Sequence, residues 1–207
     1  AKGRGKDEIW TALKNKNVYG TSGPRILLWF DLINSPEGQV PMGSEITMSQ
    51  NPKFIVKAAG SFKQKPGCSN ESIDSLSAKR LDYLCAGECY NPTNHREVIE
   101  RIEVIKITPQ VYAGEAVSPL IQDPWKSIPC QGTGECIVEF EDQNFSRDSV
   151  YYVRAIQNPT PAINGSPLSQ RDNFELCKGS FQTDLEDDCL SMTNERAWSS
   201  PIYVDKP

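Results

Sequence analysis

The chain has one histidine in 207 residues, His95. A single imidazole cannot build a multi-histidine metal centre. The sequence also lacks a P-loop, a GxGxxG turn, a nucleophile elbow and an HExxH helix, so the common phosphate-cradling, acyl-transfer and zinc-protease signatures are absent. No apolar run approaches the roughly 20 residues of a membrane-spanning helix. Basic charge is in deficit: the net charge is −5 and the isoelectric point about 5.1. That balance argues against nucleic acid and anionic membrane surfaces as partners. Residues 1–6 are basic and glycine-rich with no apolar stretch behind them, which is not the pattern of a signal peptide. Any targeting segment is expected to have been removed or to lie further upstream. No internal repeat and no low-complexity tract interrupts the chain.

Cysteine, by contrast, is plentiful, with seven residues. They sit in polar, loop-like surroundings ("PGCSN", "LCAGEC", "IPCQGTGEC", "ELCKGS", "EDDCL"), where free thiols would be exposed. An oxidising compartment, periplasmic or extracellular, accounts for that pattern. Cys130 and Cys136 bracket the turn "QGTGE" and are the first expected disulfide. Cys177 and Cys189 bracket an acidic, irregular stretch and are the second. Cys85 and Cys89 pair with each other, or one of them pairs with Cys68. An odd count leaves one thiol free or joined to something outside the chain.

Metal sites fit the sequence less well. "CAGECYNPTNH" puts Cys85, Cys89 and His95 in one segment, but zinc sites of the finger and ribbon kind need two closely spaced ligand pairs. Asp184, Glu186, Asp187 and Asp188 could offer oxygen ligands to calcium. Their spacing is not that of an EF-hand loop, and the turn glycine is missing, so a solvated acidic loop is the plainer reading. No metal or other cofactor is expected in this chain. Asn70, Asn144 and Asn164 begin N-x-S/T triplets, which matter only where the source glycosylates. Asp142 and Asp148 flank a turn, and a turn role suffices for them.

Periodicity supplies the architecture. Asp7 to Lys16 places Ile9, Trp10 and Leu13 at helical spacing beside Ala12, with acids in the first turn and lysines in the last. "YGTSGPR" breaks that helix, and "RILLWFDLI" reads as a strand. Beyond it, "KFIVKAAG", "IERIEVIKIT", "CIVEFED" and "SVYYVRAIQ" are short runs of Val, Ile, Tyr and Phe between turn residues. Ile102, Val104, Ile105 and Ile107 are expected mostly on one side of their strand, and Tyr151, Val153 and Ala155 on one face of theirs. Residues 72–84 are either a short helix or irregular. Residues 158–194 lose periodicity, an unusually long excursion that is either functional or a cover. The expected fold is mainly β: an antiparallel β-sandwich-like domain over residues 34–207 with long disulfide-stapled loops, preceded by a helix–strand unit over residues 1–33.

"NERAWSSPIYV" is the most pointed string near the end. Its plain reading is a strand lead-in that buries Trp198, with Arg196 paired to an acid or stacked on a ring. A binding role for Arg196 and Trp198 would need an exposed cleft.

Taken in order, "IWTALKNKNVYGTSGPRILLWF", "VPMGSE", "IERIEVIKITPQ", "SVYYVRAIQ" and "NERAWSSPIYVD" resemble the C-terminal third of a bacterial family. That family is known as domain of unknown function 3604 and is related to the polymerase-and-histidinol-phosphatase (PHP) metallophosphoesterases. The resemblance implies a longer parent whose metal-binding α/β barrel lies upstream. It makes "KDEIWTALKNKNVYGTSGPRILLWF" similar to the last helix and strand of that barrel. Thr21, Ser22 and Arg25 would then face the barrel's site from one side, although a tight turn needing glycine explains "TSGP" equally. The family's HxH and related metal motifs are missing here, so the divalent metal and its ligands belong to the upstream domain. The implied partner is that barrel domain or a second chain, and a second copy of this chain is a further candidate. The function implied is an accessory C-terminal part of a metal-dependent hydrolase that is not catalytic by itself. The alternative is a stand-alone disulfide-stapled module for binding or surface assembly.

Overall fold

The β-branched and aromatic runs become strands, and the turn residues between them become connections. A computed structural model describes residues 1–85, 89–163 and 190–207. The chain opens with α1 (Lys6–Lys14) and continues through β1 (Tyr19–Thr21), β2 (Leu27–Ser35), β3 (Gly38–Pro41), β4 (Glu45–Thr47), β5 (Lys53–Ala59) and β6 (Phe62–Pro66). Two short helices follow, α2 (Asn70–Ser75) and α3 (Ala78–Cys85), then β7 (Tyr90–Arg96), β8 (Ile99–Ile107) and β9 (Ile121–Pro129). The last strands are β10 (Glu135–Glu141), β11 (Ser149–Ile163), β12 (Leu190–Ser199) and β13 (Ile202–Asp205). The fold is mainly β and almost wholly antiparallel, as expected from the sequence; the β13–β4 pair is parallel.

The chain divides into two compact units. The first comprises residues 1–61, 98–157 and 195–207; the second comprises residues 62–97 and 158–194. The opening helix, β1 and β2 all lie within the first unit, because β1 pairs with β12 and β2 is an inner strand of a sheet.

Two sheets face one another in the first unit. One runs β1-β12-β11-β13-β4, with β8 on the other side of β11 and β9 beyond it; the other runs β10-β5-β2-β3. Alternation sets the inner faces. Leu28, Phe30 and Leu32 from β2, Phe54 and Val56 from β5 and Phe140 from β10 meet Ile102 and Val104, Tyr151, Val153 and Ala155, Ile202 and Val204 from the facing sheet. Aromatic rings form its centre: Phe54 lies 5.4 Å from Phe30, 5.0 Å from Phe140 and 4.8 Å from Tyr151 between centroids. Each such ring buries enough apolar surface to contribute about 2–3 kcal/mol.

The face expected of β11 is the observed one. That of β8 needs correction. Ile102, Val104 and Lys106 share the inner face, while Ile105 and Ile107 alternate to the other side. A buried lysine had to be accepted on that face for the two-residue period to hold.

In the second unit, β6 and β7 pair from Phe62 opposite Arg96 to Pro66 opposite Tyr90. The Arg96 guanidinium stacks 4.1 Å above the Phe62 ring. The region between the two strands, read as one helix or none, holds both α2 and α3. Ser69 caps α2 by accepting the Ser72 N–H at 3.3 Å.

The anchoring of α1 is decided by small residues. The helix closes with two reversed bonds, Lys16 N to the Leu13 carbonyl and Asn17 N to the Ala12 carbonyl. This is the pattern that forms when the residue past the cap turns left-handed, here Lys16 at φ 58°. The carbonyls of Asn15 and Lys16 then press on Gly43, where an added Cβ would meet them at 2.6 and 2.5 Å. Asn17 Nδ2 donates to the Met42 carbonyl at 2.8 Å, and the Lys16 ammonium lies over the Tyr203 ring. Gly43 also has φ +93°, a conformation that costs other residues about 1–2 kcal/mol. Gly43→Ala therefore combines strain with a backbone clash. It should lower unfolding stability by about 2 kcal/mol or more, read as a shifted denaturant midpoint with an unchanged slope.

Candidate functional site

The strings "YGTSGPRI" and "ERAWSSPI" lie side by side. In β1 and β12, Tyr19 stands opposite Ser199, Gly20 opposite Trp198 and Thr21 opposite Ala197. Past the ladder, Ser22 N donates to the Arg196 carbonyl at 3.0 Å, and Arg196 N donates to Ser22 Oγ at 2.9 Å. Ser22 Oγ gives its own proton to the buried Glu195 carboxylate. The hydroxyl is thus committed both as donor and as acceptor. What it does here is fix the end of β1 against β12, across 173 residues of sequence. Arg25 is exposed, Trp198 is half-buried and Arg196 is exposed. Of the expected site residues, Thr21, Ser22, Arg196 and Trp198 therefore share one strand pair. Glu195, the carboxylate that orients Ser22, was not singled out from the sequence; its position beside Arg196 in "NERAW" was the available signal.

Among the described residues the cysteines form two groups. Cys130, just past β9, is bridged to Cys136 on β10 and so clips one sheet of the first unit to the other. A loop this short gives about 2 kcal/mol by restricting the unfolded chain. In the second unit the bridge is Cys68–Cys89, across 21 residues. Cys85, expected in a disulfide, has no disulfide partner among the described residues. It nevertheless lies in the same cluster, its sulfur 2.8 Å from that of Cys89 and 3.7 Å from that of Cys68. Among the described residues this trio is the group of His, Cys, Asp or Glu side chains near enough to share an ion. His95 is not part of it. With two of the three sulfurs joined, one thiol is left, which is too few ligands for a zinc site. Cys177, Cys189 and the acidic set Asp184, Glu186, Asp187 and Asp188 lie outside the described residues.

A third cluster was missed altogether. Asp142, read from sequence as a turn residue, is only 1% exposed. Its Oδ2 accepts from Lys106 Nζ and from Tyr151 Oη, each at 2.5 Å, and its Oδ1 accepts from the Asn144 N–H at 3.1 Å. Lys106 also lies 5.4 Å from the centroid of the Trp125 ring. Burial by itself would raise the Asp142 carboxyl. The hydrogen bonds from Lys106, Tyr151 and Asn144, with the lysine's charge, overcome that and hold it below the ordinary carboxylate range. Burial, together with that carboxylate, pushes the Tyr151 phenol well upward. The arrangement is a satisfied ion pair inside the sandwich, joining the end of β10 to β8 and β11 of the facing sheet. Lys106 in an otherwise apolar run was the signal, because an inward lysine requires an acid within reach.

The first unit also exposes apolar side chains. On α1, Ile9 is 46% exposed, Trp10 66% and Leu13 54%, whereas Ala12 is buried. At about 100° per residue, Leu13 sits a quarter-turn from Ala12, with Ile9 and Trp10 on either side of it. Ile9, Trp10 and Leu13, with Lys6 and Asp7, line a shallow open depression. On the outer face of the β2 sheet, Trp29 is 49% exposed and stands opposite Lys57, which on its other side stands opposite exposed Ile137.

Residues 127–206 match the model of a family described as "Protein of unknown function (DUF3604)". The resemblance to the C-terminal portion of that family therefore holds over this stretch, which begins within β9 and contains β10 to β13. Cys130, Cys136, Asp142, Tyr151, Glu195 and Arg196 fall inside the match, while α1, β1 and β2 fall outside it. No curated protein and no solved structure matches the chain.

The Asp142 pair makes a pH-dependent prediction. The folded carboxyl titrates below its unfolded value of about 3.9, so its contribution is present above that value and is lost as pH falls through the folded one. Asp142→Asn leaves Lys106 buried without its counter-charge, which should cost about 3 kcal/mol at neutral pH. The gap between wild type and variant should narrow as pH falls below about 4, measured by thermal unfolding at a series of pH values.

Proposed function

We propose that this chain is the accessory β-domain of a metal-dependent hydrolase of the PHP kind, exported to the periplasm or beyond, and that it is not catalytic by itself. The metal and its ligands belong to an upstream barrel domain, where metal-activated water would attack a phosphoester-like substrate. The β-domain braces that barrel. The observation that carries the reading is the outward apolar face of α1. An amphipathic helix normally turns its large apolar residues to the core. Here a glycine contact and a buried alanine do the anchoring, and Ile9, Trp10 and Leu13 are left for a partner. Contiguous exposed apolar surface of this kind commonly marks an interface. The family match over residues 127–206 supports the assignment to a C-terminal portion, and the two disulfides support an oxidising compartment.

One observation favours a second reading, the stand-alone disulfide-stapled extracellular module. Strands β1 and β2 are built into the sandwich, and Leu28, Phe30 and Leu32 close its core. A module of that kind would use the α1 face for a second copy or another surface protein.

The triple variant Ile9→Ser, Trp10→Ser, Leu13→Ser separates the two. Because these side chains are exposed, the isolated chain should keep its stability to within about 0.5 kcal/mol per site. Its association with the upstream region of the intact protein, followed by sedimentation velocity, should be lost. If the wild-type chain instead self-associates through this face and ignores the upstream region, the stand-alone reading replaces the first. Association unaffected by the variant would overturn the role of α1.

A further inference from the structure

Three half-buried sulfurs meet where the segment between β6 and β7 closes. Cys68 follows β6, Cys85 ends α3 and Cys89 precedes β7. The strand ends are tied independently of the sulfurs: Gly67 N donates to the Cys89 carbonyl at 2.7 Å, and Asn91 Nδ2 donates to the Gly67 carbonyl at 2.6 Å. The backbone around Cys68 and Cys89 is therefore held by hydrogen bonds as well as by the bridge. Cys85 arrives from a different element, and its sulfur lies closer to Cys89 than to Cys68.

We propose that Cys68, Cys85 and Cys89 form a thiol–disulfide exchange site in which Cys89 is the shared sulfur. The Cys85 thiol gives its proton to water, and the thiolate attacks Cys89 Sγ. A Cys85–Cys89 bond forms as the Cys68–Cys89 bond breaks, and the bonding pair leaves with Cys68 Sγ, which takes a proton from water. One disulfide and one thiol are present before and after, so no oxidant or reductant is consumed. Attack depends on the thiolate, and its rate on the proximity of the sulfurs, which this geometry supplies. The two states differ in what they staple. Cys68–Cys89 closes the base of the whole segment, whereas Cys85–Cys89 ties the end of α3 to the start of β7 and releases Cys68. Each state leaves one nucleophilic sulfur, which can attack a partner's disulfide to form a mixed disulfide, the partner's other sulfur leaving as a thiol.

The test is pulse alkylation of the full native chain at about pH 8.5, near the ordinary thiol pKa, followed by acid quench and non-reducing peptide mapping by mass spectrometry. Wild type should carry label on both Cys68 and Cys85 and yield both bridged peptides. Cys85→Ser should reduce labelling of Cys68 by about tenfold or more, since exchange then lacks its nucleophile. Cys68→Ser should yield the Cys85–Cys89 peptide. The Cys130–Cys136 bridge should remain intact throughout and serves as the folding control. The proposal is overturned if Cys68 is as unreactive in wild type as in Cys85→Ser, or if Cys68→Ser leaves Cys85 and Cys89 both alkylated. It is equally overturned if Cys85 is found linked to Cys177 or Cys189, or if Cys130 and Cys136 become labelled in step with Cys68.

Discussion

The orientation of α1 follows from one close approach. Gly43 admits the carbonyls of Asn15 and Lys16 at distances no side chain would permit, and the helix comes to rest on Ala12. With that contact fixed, rotation about the helix axis is no longer free. At about 100° per residue, Trp10 falls nearly opposite Ala12 and Leu13 a quarter-turn from it, with Ile9 at the edge of the same outward stripe. Had position 43 carried a side chain, the helix would have had to lift or roll, and its apolar stripe could have turned inward. The surface that the proposed function rests on is therefore a consequence of backbone packing at a glycine, not of weak hydrophobicity in the helix.

Two further contacts hold the unit that carries this helix. The β1–β12 ladder joins residues near the two ends of the chain, and the Ser22–Glu195 hydrogen bond extends it. Asp142 crosses between the sheets, taking Lys106 and Tyr151 at once. Non-local pairings like these have a loop-closure cost that must be met before they contribute. The Cys130–Cys136 clip lessens that cost where β9 gives way to β10. The Ser22 hydroxyl, the Glu195 and Asp142 carboxylates and the Lys106 ammonium are all engaged in holding strands together.

Strands with strong two-residue alternation were legible in the sequence. "KFIVKAAG", "CIVEFED" and "SVYYVRAIQ" became β5, β10 and β11, and Tyr151, Val153 and Ala155 lie on the inner face as their spacing requires. Elements with little apolar content were not. Strands β6 and β7 read "FKQKP" and "YNPTNHR", and β9 contains Pro and Lys. They are strands because of the partners they find, which local pattern does not reveal. Lys106 shows the same limit: its burial depends on Asp142, 36 residues away. Cys68 and Cys85 were within the alternatives that spacing allowed, and only folding brings both beside Cys89. The junction of "YGTSGPRI" with "ERAWSSPI" was likewise invisible in a linear reading.

The most direct test is hydroxyl-radical footprinting of Trp10, comparing this chain alone with the longer, barrel-containing protein that the proposed function requires. Ready oxidation of Trp10 is expected in the isolated monomer and strong protection in the longer protein, with the half-buried Trp125 oxidised to the same lesser extent in both. Equal oxidation of Trp10 in the two samples, or its protection in the isolated monomer, would contradict the claim that α1 presents its apolar face to a partner.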